Sequence, residues 1–208
     1  MLNLSKTIVK TTLNSQYLFL IIAWLIFGLL HSLLANNRVK QVIMRFMGRH
    51  YSYYRLLYSI FSAAMLILVV YDHYSVPVSV LWLPGLAERV GAQAIILVSV
   101  SIMVICIIKY FPGLSGIRVV KGIQKPDILQ SSGLHAFVRH PLYSGTLLFV
   151  WALFFLYPYM NNLISCICIS LYTLIGIFFE ERKLIQQYGD SYLAYQLRVP
   201  MLVPRFFV

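Results

Sequence analysis

Two stretches of this 208-residue sequence carry residue types that could do chemistry. The first is Arg139-His140-Pro141-Leu142-Tyr143-Ser144-Gly145, preceded by Gln130 and His135. Pro141 has no N–H and suits the first turn of a helix, which leaves Arg139 and His140 just outside it. Gly145 gives room for close backbone approach inside that turn. A basic anchor at a membrane edge accounts for Arg139 but not for the whole run. The second stretch is Glu180-Glu181, with Arg182 and Lys183 behind it. Adjacent side chains on a helix point about 100° apart, so both acids cannot face one site equally. One can accept hydrogen bonds from a bound cation or hydroxyls while the other pairs with Arg182, Lys183 or Arg139. These acids also fall near a helix C-terminus, where the macrodipole disfavours anions, and that cost asks for a cation from the protein or a ligand. A solvated helix end is the plain alternative. Farther on, Tyr188, Tyr192 and Tyr195 recur at i, i+4 and i+7, one face of a short helix started after Gly189. They either lie on the membrane as an aromatic belt or wall a pocket.

What must position these residues is a set of membrane spans. The chain is 60% hydrophobic, 15% aromatic and only 11% charged, with a mean hydropathy of +0.79. Soluble chains carry about 25% charged residues, so this one lacks the polar surface to coat itself. Five apolar stretches, at about 16–35, 56–71, 90–108, 142–157 and 163–179, are candidates for the ~20 residues a spanning helix needs. The second and fourth are short. The alternation a transmembrane β-barrel would show is missing. The expected fold is therefore all-α: a polytopic integral membrane protein with about five transmembrane helices in one domain over 1–208. The first stretch is too long for a cleaved signal peptide, and a basic loop, not a polar domain, follows it.

Charge gives the orientation. Lys and Arg total 17 against 6 acids, a formal net charge of +11. Arg38, Lys40, Arg45, Arg49 and Arg55 follow the first span, Lys109, Arg118, Lys121, Lys125 and Arg139 follow the third, and Arg182, Lys183, Arg198 and Arg205 follow the fifth. Only Lys6, Lys10 and Arg89 fall on the other side. The positive-inside rule then places the N-terminus outside and the C-terminus in the cytoplasm. Most of this charge is topology signal and contact with anionic lipid headgroups. A nucleic-acid partner is excluded, because its basic residues would sit on an otherwise polar surface. Cys106, Cys166 and Cys168 lie inside spans with no CxxC spacing, as small buried hydrophobes, and no metal is expected.

With these residues in order, the sequence resembles the isoprenylcysteine carboxyl methyltransferase superfamily. The resemblance rests on Arg139 to Gly145, Glu180-Glu181 with Leu184, Tyr188-Gly189, Tyr192, Tyr195 and Arg198-Val199-Pro200, and covers about 115–204. An N-terminal pattern, His31-Ser32-Leu33-Leu34-Ala35, Lys40 and Tyr54-Arg55-Leu56-Leu57-Tyr58, with the ending Val199 to Pro204, is similar to the branch that contains the methanethiol S-methyltransferases and NnrU-type proteins. That extends the likeness to about 24–204. The resemblance implies a membrane-embedded methyltransferase using S-adenosylmethionine, in a bacterial inner membrane, with a three-span part (15–114) and a cytoplasmic cofactor-binding part (115–208) made of a helical hairpin (141–181) and an amphipathic tail. His140, Pro141 and Tyr143 match the segment that lines the cofactor, His135 stands where an aromatic often does, Glu180 matches the acid that holds it, and 127–130 matches a segment contacting it by backbone. Gln130, Arg139, Gly145, Glu181, Tyr192, Tyr195 and Arg198 complete the implied cofactor set. Gly176 replaces the Arg with which prenylcysteine enzymes hold the substrate carboxylate, so a prenylcysteine is a poor acceptor.

A sulfonium methyl donor is already activated, so transfer needs positioning and desolvation more than acid–base power, and a thiol acceptor would react as thiolate. His31 and Arg55 fall at the same membrane side as Arg139 to Pro141. In the catalytic reading, Arg55 stabilises the anionic nucleophile and His31 takes its proton or orients it, with Tyr58 one turn deeper. In the structural reading, His31 bonds to backbone and Arg55 snorkels to headgroups. The expected partners are membrane lipids and a small or lipophilic methyl acceptor. Competing functions are a prenylcysteine or lipid methyltransferase, an NADPH-dependent reductase of the same superfamily, and a non-catalytic NnrU-type membrane factor. A transporter is disfavoured by the lack of an internal repeat.

Overall fold

In the computed structural model residues 2–114 and 129–205 are described, with side chains described for 15–36, 38–109 and 129–205. The helices among them are α1 (Leu2–Ala35), α2 (Asn37–Met47), α3 (Tyr54–Ser75), α4 (Leu86–Leu114), α5 (Pro141–Leu156), α6 (Met160–Tyr188) and α7 (Asp190–Arg198). Four stretches, Ser15–Ala35, Arg38–Ser75, Leu86–Lys109 and Met160–Tyr188, are long and apolar enough to cross a membrane, and Pro141–Leu156 is a shorter apolar helix. The protein is an all-helical polytopic membrane protein, as its apolar stretches predict.

Local chemistry explains the boundaries. α3 runs to 22 residues, longer than its apolar centre suggested. It stops where Pro77 forces Val76 into an extended conformation (φ −74°, ψ 131°). α5 opens with Pro141 in its first turn and ends before Pro158. α6 ends at Gly189, whose φ of +53° suits a residue without Cβ and turns the chain into α7. This break corrects the reading of Tyr188, Tyr192 and Tyr195 as one stripe: Tyr188 closes α6, and only Tyr192 and Tyr195 share α7. The segment after α1, read as a basic loop, is instead α2 followed by a 3-10 turn, Gly48–Tyr53. The Asn36 side chain caps α2 by accepting the Arg38 N–H at 2.8 Å.

α4 lies along α5, α1 packs on α3 and α6, and α5 packs on α6. Close approach rests on small residues, as membrane helices require when lipid gives no hydrophobic drive to pairing. A Cβ on Gly145 would stand 3.0 Å from Met103 Cγ and 3.3 Å from the Ser99 carbonyl of α4. One on Gly28 would stand 2.9 Å from the Tyr172 ring of α6. Cys106 and Cys166 are buried free thiols, and the Cys166 thiol donates to the Val150 carbonyl at 3.0 Å. At the Pro158 end, Ser165 of α6 accepts from Trp24 Nε1 and bonds His73 Nδ1, each at 2.9 Å, while Asn161 donates to the His73 carbonyl at 3.2 Å. One neutral cluster thus joins α1, α3 and α6.

Candidate functional site

The opposite end gathers the start of α5, the end of α6 and the tail beyond it. Backbone does the stitching. The Arg139 N–H donates to the Pro200 carbonyl at 2.8 Å, the His140 N–H to the Met201 carbonyl at 3.1 Å, and the Ser144 hydroxyl to the Leu202 carbonyl at 2.7 Å. The residues just before α5 are thereby fixed against 200–202, and the side chains of Arg139 and His140 turn toward α6.

Glu181 is the hub. Its Oε1 accepts from Arg139 Nε at 2.7 Å, His140 Nε2 at 3.1 Å and Tyr192 OH at 3.4 Å, and its Oε2 from Gln196 Nε2 at 2.9 Å. Arg139 also donates through Nη1 to the carbonyls of Val199 (2.8 Å) and Gln196 (3.2 Å). With side chains only 12% and 16% exposed, the Arg139–Glu181 pair sits where charge-assisted bonds are strong. Arg139, among the three cations considered from sequence, is the one that compensates the acid at the helix end. Burial, then the neighbouring carboxylate, push the Tyr192 hydroxyl up, so it stays a neutral donor.

Glu180 has a different position. Its side chain is 44% exposed, with Oε2 3.9 Å from His140 Nδ1, and the Tyr143 hydroxyl interacts with it. The His140 and Tyr143 rings stack at 5.6 Å. The two acids therefore divide as their 100° separation demands: Glu181 is taken up by protein donors and Glu180 is left open beside two rings.

Tyr195 is buried and donates to the His135 carbonyl at 2.7 Å, and His135 Nδ1 bonds the Arg139 carbonyl at 3.0 Å. Burial pushes the His135 imidazole below its ordinary range. Tyr192 and Tyr195 are core residues, so of the two alternatives for these rings the membrane belt is set aside. Gln130 is exposed and donates to Ser132 at 2.9 Å. Arg198 is exposed and donates to the Ala194 carbonyl of its own helix, at 3.3 Å. Asp127 and Ile128 lie outside the described residues.

A second group lies within the bundle. Tyr58 OH bonds His31 Nε2 at 2.8 Å, and His31 Nδ1 bonds Ser62 at 3.1 Å. Tyr172 stands edge-on to His31 at 6.1 Å and accepts from the Ser32 hydroxyl at 3.2 Å. Tyr143 lies within electrostatic range of both Tyr172 and Tyr58, which links this group to the Glu180 side of the site. Arg55 is not brought to His31. It is exposed and stands near Lys40. Sequence reasoning missed Tyr172, Ser62 and Gln196. The signal for Tyr172 was a polar aromatic inside a span, and that for Gln196 its place one turn after Tyr192.

A family model described as "NnrU protein" matches residues 19–201, nearly the whole chain. The chain belongs to the NnrU family. This agrees with the branch implied by the N-terminal pattern. Among curated proteins, this NnrU-family chain is 31% identical to methanethiol S-methyltransferase 1 of Bradyrhizobium diazoefficiens, over 86% of the chain and 64% of that protein. It is 29% identical to the methanethiol S-methyltransferase of Mycobacterium tuberculosis, over 86% of the chain and 74% of that protein. A shorter match, 36% identical over 38% of the chain and 34% of the relative, reaches the protein-S-isoprenylcysteine O-methyltransferase of Schizosaccharomyces pombe. The chain spans 64% of the length of the first of these relatives. No solved structure matches it.

Proposed function

We propose that this NnrU-family protein is an S-adenosylmethionine-dependent methyltransferase of the bacterial inner membrane acting on a small or lipophilic acceptor, a thiol first among them. The observation that carries this reading is the open Glu180 carboxylate beside the stacked His140 and Tyr143 rings. The names of the relatives supply the reaction class. S-adenosylmethionine fits that chemistry. A carboxylate can accept from its amino group or ribose hydroxyls, and aromatic faces suit its adenine and its sulfonium. Bound there, the cofactor supplies an activated methyl group.

The chain's own residues do the rest. Glu181 and Arg139 hold His140 and the tail in register, so Glu180 and Tyr143 are set before the cofactor arrives. Pro141 and Gly145 fix the start of α5 against α4. His31, bonded to Tyr58, is the group placed to take the proton of a thiol, at Nε2 through the Tyr58 hydroxyl, leaving the thiolate that reacts. The basic end of the bundle is the cytoplasmic one in this reading, with the N-terminus outside, so the site opens to the compartment that holds the cofactor.

Calorimetry with S-adenosylhomocysteine in detergent tests the site: Glu180→Ala and His140→Ala are expected to abolish binding, and unchanged affinity in both overturns it. Transfer of a radiolabelled methyl group into thiols, lipids and prenylcysteines then identifies the acceptor. A second reading is a non-catalytic membrane factor. Cofactor binding without transfer to any acceptor selects that one.

A further inference from the structure

Where α1 and α3 meet at the Pro158 end, they enclose a cleft of about 340 Å³ lined by Ser15, Gln16, Phe19, Asp72, Ser75 and Val76. Methyl transfer does not use it. Gln16 precedes His31 by 15 residues on α1, and Asp72 follows Tyr58 by 14 on α3, each a rise of roughly 20 Å along its helix. The Tyr17 hydroxyl donates to the Pro77 carbonyl at 3.4 Å, which ties the α1 wall of the cleft to the chain leaving α3.

What this cleft lacks is donors. Gln16 Oε1 and Asp72 Oδ2 are buried, and neither accepts a hydrogen bond. A buried acceptor left unpaired is costly, and a carboxylate oxygen more so than a neutral one. Ser75 adds a third acceptor, because its hydroxyl proton is committed to the Tyr71 carbonyl at 2.9 Å and its oxygen keeps lone pairs. Among the described residues Asp72 forms no ion pair, the acids so engaged being Glu180 and Glu181. Its neighbour His73 is occupied elsewhere, with Nδ1 on Ser165 at 2.9 Å and Nε2 3.4 Å from Asn161 Nδ2.

Unpaired acceptors on two helices, one of them a carboxylate, define a ligand that is cationic and carries several N–H donors. A metal ion is a poor match: Asp72 is the charged residue of the lining, and among the described residues no three His, Cys, Asp or Glu gather in one place. The volume is that of a small-molecule pocket rather than of a single ion, and Phe19 and Val76 supply an apolar wall. We propose that this cleft binds a protonated primary amine. The Asp72 and Gln16 side chains turn their oxygens to its N–H groups, Ser75 Oγ accepts a third, and its carbon chain lies against Phe19 and Val76. The bonds to Asp72 are charge-assisted and the strongest of the set. Bridging α1 and α3, such a ligand stabilises the folded protein by mass action.

Melting of the full chain in detergent tests this, with propylammonium and tetramethylammonium as a pair of equal charge of which only the first has N–H donors. A second pair, phosphatidylethanolamine and phosphatidylcholine in mixed micelles, makes the same comparison on a lipid headgroup. The melting temperature of the wild type should rise with the primary amine of at least one pair and with neither quaternary one. A rise with propylammonium names a soluble amine as the source, and a rise with phosphatidylethanolamine alone names the headgroup. Asp72→Asn should weaken the binding by about tenfold or more. Gln16→Glu adds a second carboxylate and should tighten it, a gain that misfolding cannot produce. An equal response to the quaternary partner, equal affinity in Asp72→Asn and wild type, or no response to either primary amine overturns the site.

Discussion

At the Pro158 end, Trp24, His73, Asn161 and Ser165 meet between three helices without an ion pair among them. At the Pro141 end, Glu181 gathers Arg139, His140, Tyr192 and Gln196 at the edge of the bundle. Both clusters join several elements through one small acceptor. The difference is charge. A neutral hydrogen-bonded set can lie within the membrane once its donors are paired, whereas an ionised pair stays near the edge and recruits backbone carbonyls as well. The charged cluster leaves the Glu180 carboxylate open beside two rings. The first is a tie, and the second is a tie with an open carboxylate beside it.

Separating the two acids breaks this contrast most directly. Glu181→Ala strands Arg139 and His140, and removing one partner of a buried pair costs about 3 kcal/mol. We expect a large fall in melting temperature together with loss of S-adenosylhomocysteine binding. Glu180→Ala should lose the binding while the melting temperature stays nearly where it was. Equal destabilisation by both substitutions would remove the distinction. At the other end, Ser165→Ala unpairs Trp24 and His73 at a cost of about 1 kcal/mol, and calorimetry should find cofactor affinity unchanged. The smallest effect concerns pH. Burial keeps His135 neutral in the folded protein, so below its ordinary value of about 6.5 the unfolded chain takes up a proton that the folded one does not. Stability should therefore be full above that value and fall as pH drops toward 5. His135→Gln should flatten a plot of melting temperature against pH over that range.

Much of this contrast could be read from sequence, though unevenly. Apolar length gave the spans, Pro141 the start of α5, and the two glutamates the expectation that they would part company. What periodicity could not supply was contact across distance. Spacing left Arg182, Lys183 and Arg139 as equal partners for either acid, and the fold selects Arg139 with Glu181, 42 residues away. The carbonyls of 199–202 have no side-chain signature, so their bonds to Arg139, His140 and Ser144 were invisible. α2 is short and basic, and its narrow apolar face of Val39, Ile43 and Met47 does not stand out from a charged loop in hydropathy.

The stitching of Arg139 to Val199, 60 residues farther along the chain, also sets an order of events during biogenesis. Residues 139–140 open the fourth span and must enter the membrane before the carbonyls that hold them have been made. At ~5–20 residues per second of synthesis, that interval lasts on the order of 3 to 12 s. Through it, the cationic start of α5 has no tail to bind, and Arg139 lacks its carbonyl acceptors. The cluster around Glu181 is therefore complete only once residues 199–202 have been made, after every apolar helix described above.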